Sequence, residues 1–129
     1  NNNYAFTKEN NMAGMNPSAL LSRTAEVAIA KHLRVKYGTD PLEVTIAGDE
    51  LSIGNAATAA LAADDPITVI DKRAPGTRTF VAGGAIAAGD AFTSAAAGLV
   101  VTGSGGTEDF GIALTATTAT GQYFEGTIV

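Results

Sequence analysis

The sequence predicts an all-β protein: a compact sandwich or barrel built from two related β units, with an extended N-terminal arm and one short helix. Three observations carry this expectation. Short runs that alternate polar and apolar residues are separated by Gly, Asp and Pro turns. The chain repeats itself at an offset of 57 positions. Of its 129 residues, 56 are Ala, Thr or Gly, so large anchors are sparse and can fill one compact core shared by the two units.

The arm comes first, over residues 1–16, and the β domain follows over 17–129. Asn1, Asn2, Asn3, Asn10, Asn11 and Asn16 punctuate the arm, and Tyr4, Phe6, Met12 and Met15 are its sizeable apolar groups. It has neither a helical nor a strand period, so it is not expected to fold alone. Asn16-Pro17-Ser18 reads as a cap with proline at the first helical position, predicting one or two helical turns over Ser18–Ala25.

Strand signals dominate afterwards. His32-Leu33-Arg34-Val35-Lys36-Tyr37 alternates and ends at the turn Gly38-Thr39-Asp40-Pro41. Leu42-Glu43-Val44-Thr45-Ile46 alternates up to Gly48-Asp49, and Ile67-Thr68-Val69-Ile70 follows Asp64-Asp65-Pro66. Sliding the chain by 57 aligns Ile29 with Ile86, Leu42 with Leu99, Val44 with Val101 and Thr45 with Thr102. The same offset aligns Gly48 with Gly105, Gly54 with Gly111 and Thr58 with Thr115, and it adds six Ala pairs, among them Ala25 with Ala82 and Ala56 with Ala113. Thirteen matches over positions 25–62 exceed the roughly four that this composition gives by chance. The repeat units therefore span about 22–72 and 79–129, joined near Lys72-Arg73-Ala74-Pro75-Gly76. One shared core is expected. Its anchors include Leu33, Val35, Leu42, Val44, Phe80, Phe92, Val101, Phe110, Leu114 and Phe124.

Composition excludes several function classes. Without cysteine there is no disulfide framework, thiolate chemistry or Cys-containing zinc site. No apolar run approaches the roughly 20 residues of a membrane span, and Asn1–Tyr4 lacks the basic and apolar regions of a secretory signal. Residues 1–38 carry a net +3 and residues 39–129 a net −8, so the body repels nucleic-acid phosphates. No membrane or nucleic-acid partner is expected. The basic front suits an acidic partner surface or simply a solvated face.

Candidate chemistry is sparse. His32 is the single imidazole and has no neighbouring Ser or acid in sequence, so a half-solvated strand residue is preferred over a catalytic or metal role. Asp49-Glu50, Asp64-Asp65 and Glu108-Asp109 fall where turns are expected, and no calcium-loop pattern surrounds them. Gly103-Ser104-Gly105-Gly106-Thr107 lacks the Gly-Lys-Ser/Thr ending of a phosphate loop, and Asp109-Phe110-Gly111 matches a kinase tripeptide by letters alone. No catalytic residue, metal site or cofactor is expected.

A family resemblance lies in the second half. Gly83-Gly84-Ala85-Ile86-Ala87-Ala88-Gly89-Asp90-Ala91-Phe92-Thr93-Ser94 runs into Ala97-Gly98-Leu99-Val100-Val101. Phe110-Gly111-Ile112-Ala113-Leu114, Ala119-Thr120-Gly121 and a closing Tyr123–Val129 strand follow. This order resembles the capsid cement, or head decoration, proteins of tailed bacteriophages. Leu51-Ser52-Ile53-Gly54-Asn55-Ala56 with Asp64–Ile70 resembles an earlier copy of it, so the resemblance covers about residues 25–129. Phe110 departs from the aliphatic residue usual at that place.

The resemblance implies a non-enzymatic protein on the outer surface of the virion capsid, made in the bacterial host cytoplasm. It would stabilise contacts between subunits of the major capsid protein and associate with other copies of itself, as a homotrimer. The arm is the element that would cross a subunit boundary, with Tyr4, Phe6, Lys8, Met12 and Met15 meeting the capsid or a neighbouring chain by strand addition and side-chain pockets. The alternative is a β-sandwich binding module for host-surface glycan. Such sites use aromatic platforms, and Tyr4, Tyr37 and Tyr123 with no Trp supply few.

Overall fold

The computed structural model describes residues 19–48, 52–104, 106 and 109–129. Among the described residues, ten strands make up two units of five. The first contains β1 (Leu20–Ala25), β2 (Arg34–Tyr37), β3 (Glu43–Ile46), β4 (Gly54–Ala56) and β5 (Pro66–Asp71). They close into a barrel in the order β1-β3-β2-β4-β5. The second contains β6 (Thr77–Val81), β7 (Ala91–Ser94), β8 (Val100–Thr102), β9 (Gly111–Ala113) and β10 (Tyr123–Ile128), ordered β6-β10-β9-β7-β8. Residues 72–76 connect them. The fold is all-β, as the alternation and the repeat predict.

The helix expected over Ser18–Ala25 is a strand from Leu20 onward. β1 pairs antiparallel with β5 from Leu20↔Ile70 to Thr24↔Pro66 and parallel with β3 at Ala25↔Val44. Two isolated helical turns would not meet the cost of nucleation, whereas the strand buries Leu21 and Ala25 and pairs on both sides. The helical element actually present is a 3-10 turn at Ala96–Gly98.

The units superpose element by element. The strand starts Leu20, Arg34, Gly54 and Pro66 recur 57 positions later as Thr77, Ala91, Gly111 and Tyr123. The link Ile29↔Ala60 recurs as Ile86↔Thr117. Asp65 Oδ2 accepts from the amides of Leu61 and Ala62, and Gln122 Oε1 accepts from those of Thr118 and Ala119. His32 and Asp64 have positive φ (75° and 71°), and their counterparts are Gly89 and Gly121 (91° and 89°). One backbone trace thus accommodates different letters.

One strand pair breaks the register. β1 meets β3 at Ala25↔Val44, whereas Ala82 meets Val100. Likewise Val35 pairs with Ile46, but Phe92 with Thr102. Val44 therefore corresponds to Val100 rather than Val101, because five residues (95–99) separate the paired Ser94 and Val100, against six (38–43) between the paired Tyr37 and Val44. Val44 and Val100 are both fully buried, while Val101 is only half-buried.

Two cores replace the single one expected. Barrel one encloses Leu21, Ala25, Ile29, Val35, Val44, Ala56, Ala60, Ile67 and Val69. The second unit encloses Phe80, Ala82, Ile86, Phe92, Val100, Ala113 and Phe124. The first unit is a closed barrel and the second a curled five-stranded sheet whose ends meet at the bridge Ala82↔Val100, and each is narrow enough for a few side chains to fill. Leu42 and Leu114, expected as anchors, are exposed (67% and 46%), because each lies in a connection outside the barrel wall.

Candidate interaction site: the seam and cleft between the units

The seam between the units is organised by a cation. Arg34 on β2 is fully buried, although the alternation from His32 to Tyr37 places it on the solvent side. Its wall-facing side is covered by the second unit. Arg34 Nη2 donates to the carbonyls of Gly48 (2.6 Å), Ala95 (2.6 Å) and Leu99 (2.9 Å), Nε donates to Leu99 O (3.1 Å), and Nη1 to Ser94 Oγ (3.1 Å). A planar guanidinium offers five N–H donors in a fixed fork, against three on a lysine ammonium, and so can serve this many acceptors at once. The counterpart of Arg34 in the second unit is Ala91.

Gly98 completes this contact. Its amide donates to Ala47 O at 2.7 Å across the seam, and its φ is 76°. A β-carbon there would lie 3.1 Å from Leu33 Cβ and 3.2 Å from Arg34 O, so glycine serves both the backbone angle and the close approach. On another part of the seam, the rings of His32 and Tyr123 meet edge-on at 5.0 Å.

Beside the seam lies a cleft of about 460 Å³. Its walls come from the connecting segment (Lys72 to Gly76), from Ser52, Asn55 and Ser94, and from Phe110, Ile128 and Val129. That volume falls within the range of small-ligand and side-chain pockets, and the lining mixes apolar with polar side chains. Phe110 stands edge-on to the core ring Phe92 at 5.1 Å and lines the cleft as well. Arg78 supports this wall by donating to Asp71 O (2.9 Å) and to Ala74 O (2.6 Å), a residue of the lining. Its burial lowers its pKa, against the opposing pull of Asp71.

Electrostatics at the rim are local. Hydrogen bonds from Arg73 hold the Asp71 carboxyl below its ordinary pKa, and the same bond raises that of Arg73. Their contact at 3.2 Å is solvent-exposed on the arginine side. His32 is pushed below its ordinary pKa by burial and by Lys31. It sits in a turn before β2, rather than within the strand as expected. Among the described residues no group of three His, Asp or Glu side chains could hold a metal ion. Asp64-Asp65 forms the turn predicted for it, whereas Asp49, Glu50 and Glu108 lie outside the described residues.

The arm residues Tyr4, Phe6, Lys8, Met12 and Met15 also lie outside the described residues. The chain emerges from the body beside the cleft: Asp71 N donates to Ala19 O at 2.9 Å, and the next residue, Lys72, lines the cavity. Sequence reasoning missed Arg34 and the cleft. The repeat held one signal for Arg34, since a cation in one copy stands opposite an alanine in the other. For the cleft, the single pointer was Phe110.

Among the described residues no helix is long and apolar enough to cross a membrane. No family model and no curated protein matches this chain. Among solved structures, the chain is similar to the one described as the N base of head fiber gp8.5 in bacteriophage phi29. The similarity has a TM-score of 0.72 at 19% identity and covers 85% of this chain and 92% of that chain. At this identity the likeness is one of fold: the whole arrangement of five-strand units recurs, not a single barrel.

Proposed function

We propose that this chain is a structural protein of a bacteriophage head, acting by binding and without catalysis. Its role is head decoration: it sits on the outer surface of the capsid and stabilises contacts between major capsid subunits. The observation that carries the reading is the fold shared over 85% of the chain with a phi29 head-fiber base. The order of motifs in residues 25–129 and the acidic body, which disfavours DNA, support it independently. The arm is the clasp, reaching roughly 50 Å when extended over its sixteen residues, with Tyr4, Phe6, Lys8, Met12 and Met15 as contacts. Three copies form one decoration unit in this reading.

The fold neighbour also favours a second reading, in which the two β units are the foundation of a fiber standing on the head. Both readings predict attachment to the capsid. Purified protein mixed with expanded, undecorated heads is expected to bind saturably and raise their rupture temperature. Absence of binding at every salt concentration would overturn both. Saturable binding without a rise in rupture temperature favours the foundation reading over the cement one.

A further inference from the structure

We propose that in the free protein the cleft between the units holds the chain's own Met12–Met15 segment, keeping the arm folded back until it is handed to a neighbour. The inference rests on the reading of the arm as a clasp. It is carried by the place where the chain leaves the body. Ala19 is hydrogen-bonded to Asp71, whose successor Lys72 lines the cleft. From Ala19 back to Met15 the chain spans at most about 14 Å, enough to bring that side chain from the rim into the cavity. Asn16-Pro17-Ser18 lies between them, a sequence suited to reversing direction.

The chemistry of wall and occupant match. Phe110, Ile128 and Val129 offer an apolar wall, and methionine fills irregular apolar space and makes sulfur contacts with an aromatic ring. Asn55, Ser52 and Ser94 in the same lining supply partners for the backbone groups of a docked segment. A four-residue tether makes docking an intramolecular event with an effective concentration in roughly the millimolar range, so the chain's own arm outcompetes that of another copy in dilute solution. A capsid surface that offers more contacts to the whole arm can then displace it.

The sequence makes the test clean, because Met12 and Met15 are its only methionines and it has no cysteine. The full chain is labelled with methyl-¹³C methionine and carries a nitroxide at Arg73→Cys, on the exposed rim. The expected result is loss of most of the intensity of both methyl signals, restored by reduction of the nitroxide and unchanged on dilution. Cross-relaxation from the methyls to the Phe110 ring is expected too in the parent chain, which has Arg73 and no cysteine. Absence of cross-relaxation between the methionine methyls and the Phe110 ring would overturn the proposal, because an undocked arm on so short a tether is broadened by the nitroxide as well. So would broadening that appears only when isotope-labelled and nitroxide-labelled chains are mixed, because the occupant would then be a neighbour's arm. No capsid takes part, so failure here leaves head binding to be judged by its own experiment.

Discussion

The two units share a backbone and differ in what fills it. Barrel one is aliphatic, and β1 and β3 seal it through a pair of parallel contacts, Thr24↔Glu43 and Ala25↔Val44. In the second unit Phe80, Phe92 and Phe124 stand where Arg23, Val35 and Ile67 stand in the first. Their rings lie 4.8 to 5.7 Å apart. Room for them comes from Gly126, the counterpart of Val69, whose β-carbon would lie 2.8 Å from the Phe92 ring. There the closing seam is a single bridge, Ala82↔Val100. Bulk in the interior and looseness at the seam go together. A duplicated fold can therefore redistribute volume between positions while keeping its strand order.

Substitutions that exchange the two solutions sharpen this comparison. The largest effect is expected from Phe92→Ala, which removes the ring that contacts Phe80, Phe110 and Phe124. It should cost about 3–5 kcal/mol by chemical denaturation, more than Val35→Ala at the matching place. Arg34→Ala comes next. Leaving the carbonyls of Gly48, Ala95 and Leu99 without their donor should cost about 3 kcal/mol and split unfolding into two transitions as the units uncouple. A single cooperative transition would show that the seam does not depend on this residue.

Gly126→Val restores the residue of barrel one against the Phe92 ring, an overpacking cost of about 1–3 kcal/mol. Combined with Phe92→Val the loss should shrink, and a double-mutant cycle reads the coupling. Additive losses would break the idea that the two positions trade volume.

The smallest effect belongs to His32→Gly, which installs the residue found at its counterpart, Gly89. Relief of the positive φ, worth about 1–2 kcal/mol, is offset by loss of the ring contact with Tyr123. The pH dependence is the more telling readout. With a folded pKa below the unfolded value, neutral His32 contributes stability above the unfolded pKa that is lost as pH falls toward the folded one. The glycine variant should flatten that slope.

Much of this comparison was legible in the chain. Ile29/Ile86, Gly54/Gly111 and Ala56/Ala113 occupy matching places, and Thr58 and Thr115 accept the same bond, from Thr68 N and Glu125 N. The Leu42/Leu99 and Val44/Val101 matches were illusory, because two adjacent valines in β8 conceal a one-residue slip between hairpins of unequal length. The β1 strand was hidden for another reason: its partners β3 and β5 lie far along the chain, and local cap signals outweighed them. Arg34 and the cleft depend on how one unit sits on the other, which no local pattern encodes.

The most direct test of the central claim is an image reconstruction of heads decorated with the full chain. The account predicts both β units on the outer capsid face, with density for residues 1–18 crossing the boundary between adjacent major capsid subunits. Heads that remain bare, or chains bound at the centre of single subunits with no density across a boundary, would contradict it.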